Sequence, residues 1–261
     1  MGGGFRWLPA DLSGLGLFYS DLHFGRTPAA DDQLLAEFDK LLTVRPLPDF
    51  VICGGDTFDF LVGPNRVAIA RISAFLSRLR RLLEAGVRVW MLEGNHDFHL
   101  AWLAGHLPGL QIAADGIEDR SQRLRLTHGD GLTPGAWYTL LRRGFRLPTA
   151  RALLATLPDN LVDGIARRWS QTSYDLRGQQ PGSLYLEQVA AAFAQRMEAE
   201  PGWNWISGHI HYPATIERTF GTWWINGYWP RHFSHVVIRD GRVEGLSQSG
   251  ARGQPVEVGR L

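Results

Sequence analysis

Cysteine occurs once in these 261 residues, at Cys53, so an internal disulfide is excluded and no cluster of thiolates can build a structural zinc site. The residue lies in Phe50-Val51-Ile52-Cys53, where a small buried hydrophobe is wanted, and is read as core rather than as a reactive thiol. A dominant charge is missing too. Lys+Arg 27 against Asp+Glu 26 leave a formal net charge of +1, with no block of five like charges, which argues against a nucleic-acid partner. No stretch approaches the ~20 apolar residues of a spanning helix. The first twenty residues lack the basic and apolar regions of a secretory leader, Asp11 interrupting what apolar character there is. A cytoplasmic protein is expected. Internal repeats and domain-separating linkers are also lacking, so residues 1–261 are expected to form a single domain, and 44% hydrophobic content supports a full-sized core.

What the sequence has is a series of short apolar runs that end in Asp, Asn or His. The run Val87-Arg88-Val89-Trp90-Met91-Leu92 leads into Gly94-Asn95-His96-Asp97. Similar runs precede Ser20-Asp21-Leu22-His23, Gly54-Gly55-Asp56-Thr57-Phe58-Asp59, Thr127-His128-Gly129-Asp130 and Ser207-Gly208-His209-Ile210-His211. In an open α/β sheet the carboxyl ends of the strands share one edge, so segments this far apart in sequence can converge. Residues 15–19 read as a strand, 31–42 as a helix behind an Asp31 cap, and 50–53 as a strand buried on both faces. Asn65 caps a helix with the apolar stripe Ile72, Phe75, Leu76, Leu79, Leu82 and Leu83, closed by Gly86. Residues 87–92 form the next strand. Strand, helix, strand, helix, strand implies a parallel sheet with right-handed crossovers.

Beyond Asp130 the character changes. Residues 133–180 hold no convincing strand; helices are expected at 149–157 and 159–173. Between Arg142 and Arg177 stand seven Arg and three Asp, which marks an inserted cap at 133–180 that is basic and apolar. It is either a substrate lid or a plain cover over the core. Residues 183–199 read as a returning helix and 203–206 as the strand feeding His209 and His211. Residues 215–220, 223–226 and 233–238 read as antiparallel strands, with Asp240-Gly241 as a hairpin turn.

Two His or Asp side chains two apart on an extended segment point the same way, so Asp21 and His23 can reach a single ion. Asp, Asn and His without cysteine suit borderline or hard divalent ions such as Mn, Fe, Zn, Co or Ni. Two ions ~3.5 to 4 Å apart require a shared carboxylate, and Asp56, at a sharp Gly-rich strand end, offers both oxygens. Two dications against the carboxylates of Asp21 and Asp56 leave a positive surplus that favours hydroxide and an anionic phosphate. Each motif alone is commonplace, and all five together point to metal.

The series Asp-x-His, Gly-Asp-x-x-Asp, Gly-Asn-His-Asp, His-Gly-Asp and Gly-His-x-His resembles the calcineurin-like metallophosphoesterase superfamily. That resemblance implies an α/β fold, a four-layer α/β/β/α sandwich of two mixed sheets with a helical cap insertion. It implies one metal on Asp21, His23, Asp56 and His211 and a second on Asp56, Asn95, His128 and His209, with a bridging hydroxide attacking phosphorus. His96 would be the catalytic histidine near the leaving group, oriented by Asp97. Within the superfamily, the Phe after Gly-Asn-His-Asp, the helical insert and Ile165-Ala166-Arg167-Arg168-Trp169 look like the UDP-2,3-diacylglucosamine pyrophosphatases of lipid A synthesis. Asn95, Arg167 and Arg168 would then bind substrate, a phosphorylated small molecule or lipid-linked nucleotide. The cap would admit peripheral membrane contact, and no obligate protein partner is expected. One departure is His96, where many members of that group carry Arg. A general phosphodiesterase or phosphomonoesterase is the second reading, and a metal-binding protein without turnover the third.

Overall fold

The computed structural model describes residues 5–64, 66–154, 156–165, 168 and 184–248. Strands β2 (Leu15–Tyr19), β3 (Phe50–Gly54), β5 (Arg88–Leu92) and β7 (Gln111–Ala113) run parallel, and the antiparallel hairpin of β13 (Ser234–Arg239) and β14 (Arg242–Gln248) extends this first sheet in the order β14-β13-β2-β3-β5-β7. A second six-stranded sheet runs β1-β8-β9-β10-β12-β11, from β1 (Trp7–Pro9), β8 (Gly116–Asp119), β9 (Leu124–Thr127), β10 (Asn204–Ser207), β11 (Ala214–Arg218) and β12 (Gly221–Ile225). A small parallel pair, β4 (Leu61–Val62) and β6 (Asp97–Phe98), flanks the first sheet's carboxyl edge.

The two-residue period of a strand divides the core. On β2, Phe18 faces the second sheet with Phe50, Ile52, Trp90, Ile117, Leu126 and Ile206. Leu17 and Tyr19 face the other way, against α1 (Pro28–Leu41) and α2 (Arg66–Glu84), where Leu34, Phe38, Ile72, Phe75, Leu79 and Leu82 pack. The outer face of the second sheet is covered by α6 (Leu184–Ala199); Phe193 stacks on Trp223 with ring centres 3.7 Å apart. The result is helix, sheet, sheet, helix, the four layers expected. Phe75 of α2 is fully buried with its ring centre 4.8 Å from that of Phe38 on α1, and truncating such a side chain to Ala costs about 3–5 kcal/mol.

Several local expectations are corrected. The α1 helix is capped at Thr27, with Pro28 in its first turn. Asp31 lies inside it and accepts the Gly25 N–H at 2.9 Å. Of the three late segments, β12 pairs parallel with β10 and antiparallel with β11, while β13 joins the first sheet. After the short helix α3 (Leu103–His106), a helix not expected from the sequence, α4 (Ala136–Phe145), precedes α5 (Pro148–Leu154). Asn65 and much of the expected helix at 159–173 lie outside the described residues, 159–165 being helical.

Candidate metal centre

Asp21 and His23 follow β2, Asp56 follows β3, and Asn95 and His96 follow β5; His128 follows β9, and His209 and His211 follow β10. The first group comes from one sheet and the second from the other, so the site is built where the two sheets' strand ends meet. Asp21, His23, Asp56 and His211 are buried and offer ligand atoms all within 4.8 Å of one another. His211 Nε2 is 3.2 Å from Asp21 Oδ1, and His23 Nε2 is 3.7 Å from Asp56 Oδ2. On the other oxygen of Asp56, Oδ1, His128 Nε2 stands at 3.4 Å, and the same nitrogen is 3.2 Å from Asn95 Oδ1. His209 completes this side through its ring, 5.0 Å centre to centre from His128, with Nε2 2.8 Å from the Thr133 hydroxyl. One carboxylate thus turns an oxygen to each group.

The backbone is strained to do this. Asp21, His23, Asp56, His209 and His211 have φ of 52°, 46°, 49°, 69° and 62°, the left-handed region in which a side chain costs of order 1–3 kcal/mol. Such outliers gather where the surrounding structure over-determines them for a function. Two glycines permit the close approach: a Cβ at Gly94 would stand 2.2 Å from Asp56 Oδ1, and one at Gly208 2.2 Å from Asp21 Oδ2.

The electrostatics favour a cation. Burial opposes the charge on Asp21, yet the hydrogen bond and charge of His211, with His128 beyond, bring it down to about 2. Asp56 is likewise held well below its ordinary range, chiefly by His128 against the burial penalty. Burial lowers His128, but the charge of Asp56 outweighs it and lifts the ring to about 9. A field that draws a proton onto a buried imidazole is one that would hold a divalent ion. His23 and His211 also point Nε2 atoms at each other across 3.4 Å, and Asp56 Oδ2, fully buried, has no hydrogen-bond donor among the described residues. A buried carboxylate oxygen so placed costs free energy unless something positive meets it. The donor set fits Mn, Fe, Zn, Co or Ni.

The ring of His96 is not held by Asp97, as the resemblance implied. His96 Nδ1 lies 2.8 Å from the backbone carbonyl of Asp59. A carbonyl only accepts, so Nδ1 carries a hydrogen, and Nε2 lies 4.0 Å from Asp56 Oδ2. Asp97 instead gathers backbone N–H groups: Asp56 and Gly94 donate to Oδ1 at 2.9 Å each, Thr57 and Phe58 to Oδ2 at 2.7 and 3.1 Å. Burial and the Asp56 charge push Asp97 upward, but an oxygen pair that accepts four N–H donors does so as a carboxylate. Asp97 therefore ties the Asp56 turn to the Asn95 turn.

Other contributors were not read from the sequence. Asp59 stood in a motif without a role; its carboxylate lies 3.7 Å from His23 Nδ1 and 3.4 Å from Arg26. Tyr228 stacks on His211 at 4.8 Å, and the Trp229 N–H donates to the Asp21 carbonyl at 3.1 Å. At the C-terminal end of α4, the capping residue Arg146 donates to the carbonyls of Gly94 and Ala114 at 2.8 and 2.7 Å, and within the helix Arg142 donates to Asp130 at 2.7 Å. Arg168 is an exposed helical residue, and Arg167 lies outside the described residues. Beside Asn95 an apolar cavity of about 100 Å³ is lined by Phe60, Val62, Phe98, Phe145, Leu154, Val162 and Ile165. No helix among the described residues is long and apolar enough to cross a membrane.

The family profile described as calcineurin-like phosphoesterase matches residues 17–213, the span that contains every residue of the centre. A protein of Nitrosococcus oceani named UDP-2,3-diacylglucosamine hydrolase is 31% identical over 201 residues, 76% of this chain and 78% of that protein. One of the same name from Haemophilus ducreyi is 26% identical, covering 87% and 92%. Among solved structures, the phosphoesterase YfcE of E. coli covers 89% of this chain and 97% of its own at 15% identity and a TM-score of 0.38. With a match that spans well over half its length, the chain belongs to the calcineurin-like phosphoesterase family and is a hydrolase of phosphate esters.

Proposed function

We propose that the protein holds two divalent ions, manganese first among the candidates, and cleaves the pyrophosphate of UDP-2,3-diacylglucosamine or a similar nucleotide-linked lipid. The carrying observation is the convergence on Asp56, one oxygen toward His23 and the other toward His128. Asp21, His23, Asp56 and His211 would hold one ion, and Asp56, Asn95, His128 and His209 the other. When bound, the ions supply Lewis acidity at a phosphoryl oxygen and lower the pKa of water. The chain's own part is to exclude bulk water, to orient the phosphate through Asn95, and to hand a proton to the leaving group from His96 Nε2, Asp97 positioning the two turns. The substrate reading is supported by the names of the relatives and by the apolar cavity that opens beside Asn95, because an acyl chain wants burial next to the reacting phosphate. In this reading residues 133–180 are a cap inserted in one domain, Arg167 and Arg168 bind the substrate's anionic part, and the enzyme works in the cytoplasm with peripheral membrane contact.

His96 favours a second reading, a phosphodiesterase of wider scope. A histidine that keeps a proton available serves alkoxide leaving groups as well as phosphate ones. His96→Asn should keep its metals and lose more than about 100-fold in rate on an alkyl phosphoester, with a much smaller loss on a nucleotide pyrophosphate. Equal losses would make His96 a phosphate-positioning residue. The metal assignment is tested by elemental analysis: Asp56→Ala should lose both ions and His23→Ala chiefly one. Two ions per chain in Asp56→Ala would remove the shared carboxylate. Hydrolysis of UDP-2,3-diacylglucosamine, measured against bis-p-nitrophenyl phosphate, decides between the two substrates.

A further inference from the structure

A second concavity, about 650 Å³, lies between α4, α5 and the strand-end residues Glu93 and Ala114-Asp115. None of the seven candidate ligands lines it, although Tyr138, which does, has its ring centre 6.4 Å from that of His209. Its walls carry Arg6, Arg142, Arg143, Arg146 and Arg151 against Glu93, Asp115 and Asp130. The carboxylates are all engaged. Asp130 meets Arg142 at 2.7 Å and Arg146 at 3.3 Å; Asp115 meets Arg142 at 3.3 Å and accepts the Arg6 N–H at 3.1 Å; Glu93 meets Arg146 at 3.4 Å and accepts the Leu100 N–H at 2.8 Å. Two arginines thus serve three carboxylates. The guanidinium groups of Arg6, Arg143 and Arg151 have no carboxylate within ion-pair distance among the described residues. Five guanidinium charges less three carboxylates leave two positive charges on one concave wall.

We infer that this concavity is a second ligand site, separate from the metal centre, for a phosphomonoester. A phosphomonoester near neutral pH carries close to two negative charges and three acceptor oxygens, which matches both the surplus and the forked donor geometry of arginine. The chain has a single lysine, Lys40, so the cationic wall is arginine throughout. The volume selects the ester over the free ion. It falls in the range of pockets that take organic ligands, and Phe5, Tyr138, Leu147 and Pro148 give an organic substituent something to pack against. The inference uses charge and shape at this wall alone and does not depend on which substrate the metal centre turns over.

The test is calorimetric titration of the metal-loaded enzyme with glycerol 3-phosphate and with inorganic phosphate, at constant ionic strength, for the wild type and for the double variant Arg143→Gln, Arg151→Gln. Both side chains are exposed and outside the catalytic machinery, so the variant should fold and turn over bis-p-nitrophenyl phosphate within about twofold of wild type. Removing charge-assisted donors should weaken the ester's binding at this site at least tenfold, while any binding at the metal centre persists. Lysine at both positions should recover part of the affinity. An unchanged isotherm in the glutamine variant overturns the site. Tighter binding of inorganic phosphate than of the ester overturns the choice of ligand, and a parallel collapse of turnover would place these arginines in the metal centre instead.

Discussion

Burial separates His235 from the histidines of the centre. It sits on β13 with its ring 5.1 Å from that of Tyr19, and burial together with the Lys40 charge lowers it from 6.5 to about 4. The folded chain then binds fewer protons than the unfolded chain between those values, so this contribution is intact above pH 6.5 and is lost as the pH falls toward 4. Between pH 7.5 and 5 the wild type should lose about 2 kcal/mol through this group. Urea unfolding at the two pH values, compared with His235→Gln, reads that difference, and an equal pH dependence in the variant would sink it. Nothing in the sequence marked His235, because its surroundings are assembled from β2 and α1. Asp21, His23, Asp56 and His211 were legible because each ends an apolar run in a recognisable spacing, and the structure gathers them within 4.8 Å. Asp97 was legible as a residue and misread as a role. Its partners are backbone N–H groups, and a backbone donor leaves no trace in residue type.

Helix α4 shows why an element can be harder to read than a residue. Pro134-Gly135 breaks the chain before it, Gly144 weakens its last turn, and it has no buried residue, so the core-facing stripe that betrays α2 is absent. Yet Arg146, the residue that caps the C-terminus of α4, bonds the Gly94 carbonyl immediately before Asn95 and pairs with Asp130, two residues after His128. One side chain of the cap therefore braces two of the turns that form the second half of the centre. Arg146→Gln should retain the first-site metal and lose roughly 10- to 100-fold in kcat on a small phosphodiester, since sub-ångström misplacement of reacting groups has costs of that order. Lysine, which keeps the positive charge on a single donor nitrogen, should recover part of it. Unchanged kcat in the glutamine variant would make the brace irrelevant to turnover. The strands β2, β3, β5 and β10 were legible from apolar runs that end in Asp, Asn or His, whereas β1 and β7 are three residues long and too short for a period to register.

At the scale of the molecule, a centre supplied by both sheets joins them at one end. An ion bound there binds only the folded chain, so chelation should lower the thermal midpoint. A free ion concentration ~100-fold above Kd stabilises by about 2.7 kcal/mol, or about 5–10 °C for a chain of this size. Scanning calorimetry with EDTA, then with Mn restored, measures it; an unchanged midpoint would mean that the ions are not bound at the junction. The parallel first half was legible from its alternation of strand and helix. The return of the chain was not, because residues 234–248 read as a plain hairpin whichever sheet accepts them. That return bears on how the protein is made. Strand β2 lies between β3 and β13, and β13 begins 215 residues after β2 ends (234 − 19). A ribosome moving at about 5–20 residues per second leaves that edge of β2 open for on the order of ten to forty seconds, in a strand whose middle is wholly apolar. An open edge of this kind is a template for pairing with other chains, so this edge of β2 is exposed to mispairing until β13 emerges and covers it.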